Sequence, residues 1–347
     1  MNNRRQFLKQ FSLVSGAIGS GIWLSACQNT SNKEDSESDT SDTPEAATAG
    51  LSISLAQWSL HKSFFGDDPG KAREYFMQSA EENKNNPYKA PLSPDDFPKI
   101  AAEQFNIYGI ELVNTFYRGK VDDANYWQAF KQQCEEHDVQ TLLIMCDGLG
   151  SLGDADPDKR QQTVENHYPW VDIAADLGCH SIRVNARGEG TPGAVAAQAV
   201  DGLSALTEYG KSKDIHIIVE NHGGYSSDGK WLSGVINEVN DPYCGTLPDF
   251  GNFCIEGSPR GECTQSYDRY LGVNELLPYA QGVSAKSYAF DEEGNETTID
   301  FQRMIDMVHK SGFTGYVGVE YEGSELSEPE GIRATKALLE KCFKNLG

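Results

Sequence analysis

The 347-residue chain carries 29 Lys and Arg against 52 Asp and Glu, a formal net charge of −23. That balance excludes nucleic acid as a partner, because phosphate backbones need Lys and Arg to replace their counterions, and it favours small neutral ligands. It also leaves carboxylates to spare for a divalent cation.

The first 26 residues read as an export signal and not as part of a fold. Arg4 and Arg5, followed by Phe7, Leu8 and Lys9, resemble a twin-arginine signal. The apolar run FSLVSGAIGSGIWLSAC ends in Leu24, Ser25, Ala26 and Cys27, which resembles a lipobox. The expected mature chain begins at Cys27 and carries a lipid there. That anchor alone would hold it to the cell envelope, on the periplasmic side or at the outer membrane. Residues 27–50 are rich in Ser, Thr, Asp and Glu and nearly without large apolar side chains, as in a flexible tether. No later stretch is apolar for long enough to span a bilayer.

From Leu51 to Gly347 short apolar or β-branched runs alternate with amphipathic segments, the pattern of repeated βα units. Strands are predicted at 51–59, 108–114, 141–146, 181–185, 215–220, 244–249, 282–288 and 315–320. Helices are predicted between them, among others at 94–105, 123–138, 165–178, 194–214 and 298–312. Eight strands with intervening helices predict a single-domain closed (β/α)8 TIM barrel over 51–347. The alternative, an open doubly wound sheet, lacks a GxGxxG after its first strand. Two long intervals, 64–94 and 251–275, are candidates for lids or for solvated insertions. The cysteines form no CxxC pair, so most read as core residues. Cys254 and Cys263 flank a loop, where a bridge in an oxidising compartment is one option.

Three predicted strands end in a carboxylate: Glu220, Asp249 and Glu320. A polar group at the carboxyl end of a parallel barrel strand lies at the barrel mouth, whereas a single acid there is more often a solvated loop anchor or the N-cap of the next helix. Gln57, His61, Asn114, Asp147, Asn185, Arg187, Tyr321 and Glu322 end strands in the same way. Trp58, Phe116, Tyr117 and Trp231 could form an apolar wall for a small ligand. Of these, His61 and Asn185 are the preferred substrate contacts. Strand alternation puts Ser284 and Lys286 on one face, and His222 on the same side as Glu220.

The segments ENHGG (220–224), PDFGN (248–252), AKS (285–287) and GVEYEG (318–323) resemble the sugar isomerase and epimerase superfamily with a xylose isomerase-like TIM barrel, over essentially all of 51–347. The resemblance implies a divalent metal (Mn, Mg, Co or Zn) held by a Glu, an Asp, a His and a Glu from the last four strands. The two Glu residues would also relay protons on opposite faces of a substrate carbon. Carried over, Glu220, Asp249 and Glu320 are the metal ligands, and Glu220 and Glu320 the catalytic pair. The ligand His corresponds to Ser284, and a further His of the pattern to Asn252. His222 is then either a replacement ligand or a substrate contact. Lys286 is a candidate catalytic residue, as a positive charge or as a Schiff-base amine, unless neighbouring Glu residues simply satisfy it. His61, Asn114, Asn185, His222 and Asn252 form the expected substrate-binding set. The implied ligand is a small-molecule carbohydrate. The implied chemistry is proton abstraction beside a carbonyl, leading to epimerisation, isomerisation or elimination from a keto-sugar. A rival reading is a non-catalytic carbohydrate-binding lipoprotein with a degenerate metal site. The endonuclease branch of the same architecture is disfavoured by the acidic balance and by only seven His. The oligomeric state is left open.

Overall fold

Strands flanked on both sides in a parallel barrel are buried on both faces, so they form from nearly unbroken apolar runs such as TLLIM and HIIVE. The computed structural model describes residues 50–79, 82–83, 86–257 and 262–346, and the expected export signal and Cys27 lie outside them. In chain order the strands are β1 (Leu51–Ala56), β2 (Gly109–Val113), β3 (Gln140–Met145), β4 (Ser181–Val184), β5 (His216–Glu220), β6 (Cys244–Leu247), β7 (Cys254–Gly257), β8 (Cys263–Ser266), β9 (Val283–Ser287) and β10 (Gly315–Tyr321). Eight of them pair in parallel in the order β6-β5-β4-β3-β2-β1-β10-β9, while β7 and β8 form a separate antiparallel hairpin.

The ring meets between β6 and β9 through two isolated bridges, Thr246 with Ala280 and Asp249 with Ser284. There the Ser284 N–H donates to the Pro248 carbonyl at 2.9 Å, and the Phe250 N–H donates to the Ser284 carbonyl at 3.1 Å. This fold is the expected (β/α)8 TIM barrel. Among the described residues no helix is long and apolar enough to cross a membrane.

Local chemistry sets the element ends. The predicted first strand stops early, at Ala56, because Gln57–Leu60 winds into a 3-10 turn. The Gln57 side chain is drawn inward, where it donates to the Tyr117 hydroxyl at 2.7 Å and accepts from the Val113 N–H at 3.0 Å. The helix predicted from residue 165 begins at Pro157 instead. Asp156 caps it by accepting the Asp158 N–H, and the polar first turns carry no apolar period. Asp228, Asp268 and Asp300 cap later helices in the same way, and Ser327 with Glu330 forms a capping box.

His167, on the Pro157–Leu177 helix, is buried, with Nδ1 2.7 Å from the Thr163 carbonyl. Burial disfavours its charged form and holds its pKa at about 4, below the ordinary 6.5. Between these values the unfolded chain binds the extra proton, so this contribution to stability is present above pH 6.5 and is lost as pH falls through 4. The shift corresponds to roughly 3 kcal/mol. His167→Gln is expected to flatten the stability profile over that window by about this amount, as read by urea denaturation of both proteins across the pH range.

Candidate active site

β5 ends on Glu220, the turn after β6 presents Asp249, and β10 carries Glu320. All three are buried, and they offer one carboxylate oxygen each, all within 4.8 Å of one another. A divalent ion can bridge oxygens at that spacing. β9 contributes Ser284 and Lys286 from one face of the strand, as alternation requires.

The trio is densely bonded. Glu220 Oε1 accepts from Asn252 Nδ2 at 2.8 Å, and Glu220 Oε2 lies 2.7 Å from Arg183 Nε. Asp249 Oδ1 accepts the backbone N–H of Gly251 at 2.8 Å and of Asn252 at 2.7 Å. Ser284 Oγ lies 2.8 Å from Asp249 Oδ2 and 2.7 Å from Glu320 Oε2. A hydroxyl has one hydrogen to donate, so Ser284 can serve only one of these two carboxyls at a time. Lys286 Nζ stands 3.3 Å from Glu320, 3.4 Å from Glu322 and 3.7 Å from Asp249.

Burial sets the ionisation pattern, and the neighbouring charges modify it. It pushes Glu220 and Asp249 up, although Arg183 pulls the first down and Lys286 the second. Burial would lower Lys286, yet Asp249, Glu320 and Glu322 outweigh it and hold the ammonium well above its ordinary value. A protonated amine of this kind is a charge and not a nucleophile, which counts against the Schiff-base role. Burial would also raise Asp147, but Arg183 overcomes it and keeps that carboxyl below the usual range.

Two interior charges had no part in the predicted set. Arg183 of β4 donates from Nη1 to Asp147 Oδ1 at 2.8 Å while its Nε faces Glu220. Glu111 of β2 accepts from Ser54 Oγ at 2.6 Å and is raised to about 7, chiefly by burial. Its carboxyl occupies the space beside Gly318, where a Cβ would come within 2.5 Å of Glu111 Oε1.

A cavity of about 680 Å³ opens beside the trio, lined by Arg187, His222, Tyr225, Asn252, Lys286 and Glu322 together with residues of β7. Of the expected substrate contacts, His222 and Asn252 line it. His222 is not a member of the carboxylate cluster: its Nδ1 accepts from Arg187 Nη2 at 2.9 Å. Burial lowers its pKa to about 3, so the ring is neutral. Asn114, Asn185 and His61 lie elsewhere. Asn114 is fully buried and clasps Asp147, accepting its N–H at 3.0 Å and donating to its carbonyl at 3.1 Å. Asn185 donates to Asp147 Oδ1 at 2.8 Å. His61 stacks on Trp58 with centroids 4.8 Å apart and bonds the Trp58 carbonyl through Nδ1 at 2.8 Å. Trp58 in turn donates its indole N–H to Glu322, so this rim pair reaches Lys286 through a carboxylate. Phe116 and Tyr117 of the expected aromatic wall are core residues.

The interval 251–275 holds the β7–β8 hairpin, which Cys254 and Cys263 cross-link with Cα atoms 5.8 Å apart. The other described cysteines are buried thiols. Closing so short a loop restricts the unfolded chain by about 2–3 kcal/mol in the loop-entropy view. The double substitution Cys254→Ser, Cys263→Ser is expected to lower stability by that amount, measured by denaturation under non-reducing conditions.

A family model described as xylose isomerase-like TIM barrel matches residues 100–342. The chain is 35% identical over 65 residues to the C-glycoside deglycosidase alpha subunit of Arthrobacter globiformis, a match spanning 18% of this chain and 18% of that protein. Among solved structures, IolI protein with a bound zinc atom superposes with a TM-score of 0.61 at 11% identity, covering 85% of this chain and 99% of that one. A xylose isomerase-like TIM barrel protein from Mycobacterium smegmatis in complex with magnesium gives 0.58 at 14% identity, covering 85% and 97%. The 3-keto-D-glucoside 4-epimerase YcjR from E. coli gives 0.57 at 15% identity, covering 74% and 97%. At such identities the superpositions establish the fold alone. With the family model covering more than half of its length, the chain belongs to the xylose isomerase-like TIM barrel family.

Proposed function

We propose that this protein is a sugar isomerase/epimerase-like enzyme that moves a proton beside the carbonyl of a neutral sugar or keto-sugar. The observation that carries the reading is the gathering of Glu220, Asp249 and Glu320 within 4.8 Å, behind a cavity whose wall includes Lys286 and Asn252, both in contact with the trio. A proton beside a carbonyl is weakly acidic. Its removal needs a base on one face of the carbon and positive charge at the oxygen that becomes an enediolate.

Glu220 and Glu320 act as the base and its acid partner. One takes the carbon-bound proton, and the electron pair moves onto the carbonyl oxygen. The other returns a proton to the opposite face for epimerisation or to the neighbouring carbon for isomerisation. Where a leaving group sits on the adjacent carbon, its departure with the electron pair gives elimination instead. A divalent ion would have to displace Ser284 Oγ and Lys286 Nζ from the oxygens they now hold. The residues as packed therefore do not fit one, and the ammonium of Lys286 supplies the charge at the oxygen. His222 and Asn252 contact substrate hydroxyls from the cavity wall. Keto-glycosides are the favoured class, supported by two similar proteins named as a C-glycoside deglycosidase subunit and a 3-keto-D-glucoside epimerase.

The test is solvent-deuterium exchange into free sugars and keto-glycosides, followed by NMR with the full chain. Exchange at a carbon beside the carbonyl is expected, and a complete panel without exchange removes the proposal. The second reading, carbohydrate binding without turnover, draws on the hydrogen bonds and ion pairs that these carboxylates already make inside the protein. It predicts sugar affinity with no exchange.

We also propose export with a lipid on Cys27, in keeping with the Cys254–Cys263 bridge, since disulfides persist in oxidising compartments. Incorporation of labelled palmitate is expected in the full chain and is lost in Cys27→Ser.

A further inference from the structure

We infer that Lys286 and Ser284 together replace a divalent ion and its fourth protein ligand, so that the Glu220, Asp249 and Glu320 centre works with a resident ammonium. The inference rests on the proposed proton-transfer chemistry for what the charge does, but its occupancy claim can be tested without turnover.

Carboxylate oxygens from two strands and a turn, within 4.8 Å of one another, need a cation or protons among them. Lys286 provides one, its Nζ lying 3.3 Å from Glu320 Oε1 and 3.7 Å from Asp249 Oδ2, on a side chain only 2% exposed. An ion at this place would share those same oxygens. Its two charges would face the ammonium at short range in a buried setting, where repulsion is weakly screened.

The remaining lone pairs tell the same story. Metal ligands must turn bare oxygens or imidazole nitrogens toward the ion at about 2.0–2.2 Å. Here Asp249 Oδ1 is taken by two backbone N–H groups, and Glu220 Oε1 by the Asn252 amide. Glu220 Oε2 faces Arg183 at 2.7 Å. Asn252 therefore presents a donor to the site, not a ligand. Ser284 Oγ fills the gap between Asp249 Oδ2 and Glu320 Oε2 at 2.8 and 2.7 Å, the space in which an ion would otherwise meet both oxygens. Among the described residues no imidazole or thiolate joins the cluster. The ammonium also lines the cavity, so the charge reaches the space where a substrate oxygen would stand.

The experiment is metal analysis of the full chain after incubation with Mn, Co, Zn or Mg and removal of free ion. The expected content is far below one ion per chain, with deuterium exchange unchanged by chelator. One tightly held ion per chain overturns the inference. The converse experiment is the pair Ser284→His, Lys286→Met, which restores an imidazole and removes the ammonium. It is expected to gain about one Co(II) per chain with the visible absorption of a tetrahedral site, and to bind at least about tenfold more tightly than Ser284→His alone. Equal binding by the single and double variants, both folded by circular dichroism, also overturns it. If either variant fails to fold, the ion content of the unaltered chain decides. Absence of exchange on every sugar, with no ion bound, defeats the proposed reaction and leaves the charge assignment standing.

Discussion

Replacing Arg183 by Met is expected to cost 3–5 kcal/mol of stability near neutral pH, the range found when one member of a buried ion pair is removed. Arg183 is 3% exposed, and its guanidinium lies between Asp147 and Glu220, at 2.8 and 2.7 Å. A methionine fills similar volume but leaves both carboxyls without their cation. Asp147 is the more exposed of the two and would turn to water, while Glu220 is fully enclosed and would take up a proton. Asp147 has its carboxyl depressed in the folded state, so its contribution is present above the unfolded value of 3.8 and disappears as pH falls below it. The difference between parent and variant should therefore shrink in acid. Urea midpoints at neutral pH and near pH 2 measure it. A loss below about 1 kcal/mol at neutral pH would mean that the pair behaves like a solvated surface bridge.

The second large effect is catalytic. Glu320→Gln is expected to lower deuterium exchange by about 10²–10⁴-fold, the usual contribution of a positioned general acid or base. The site accommodates the amide well: its oxygen can face Lys286 and its NH₂ can donate to Ser284, which then donates to Asp249. Thermal stability should hardly change, which separates loss of chemistry from loss of fold. Glu220→Gln should lose exchange to a similar extent but also some stability, because an amide turned toward Arg183 is a poorer partner than a carboxylate. Full exchange retained in both variants would remove the paired-carboxylate mechanism.

The barrel was legible because its strands are β-branched runs whose length and spacing admit few other arrangements. Boundaries slipped where a side chain redirected the backbone, as Gln57 does after β1. The carboxylate trio was legible from position alone, since strand ends converge in any such barrel. Arg183 and Glu111 escaped notice although each stands in the middle of a short apolar strand, SIRV and GIELV. A charge at such a place has to meet an opposite charge or a proton inside the barrel, and that is the sign that would have found them. Asn114 was misleading for the opposite reason. A strand-end amide can serve a ligand or clasp a neighbouring loop, and only the Asp147 backbone lying across from it decides which.

The seam between β6 and β9 joins the fate of the barrel to that of its chemistry. Asp249 and Ser284 form one of the two bridges that complete the ring, and the same residues share the hydroxyl contact at the heart of the site. The first place for the cylinder to unzip is thus the place where a reacting carbon would sit. Amide protons of Phe250 and Ser284 should trade with solvent through smaller openings than those buried in β2 or β3. A bound sugar that braces this junction should slow that trade locally, so occupancy could be read from backbone exchange even for a ligand that is never turned over.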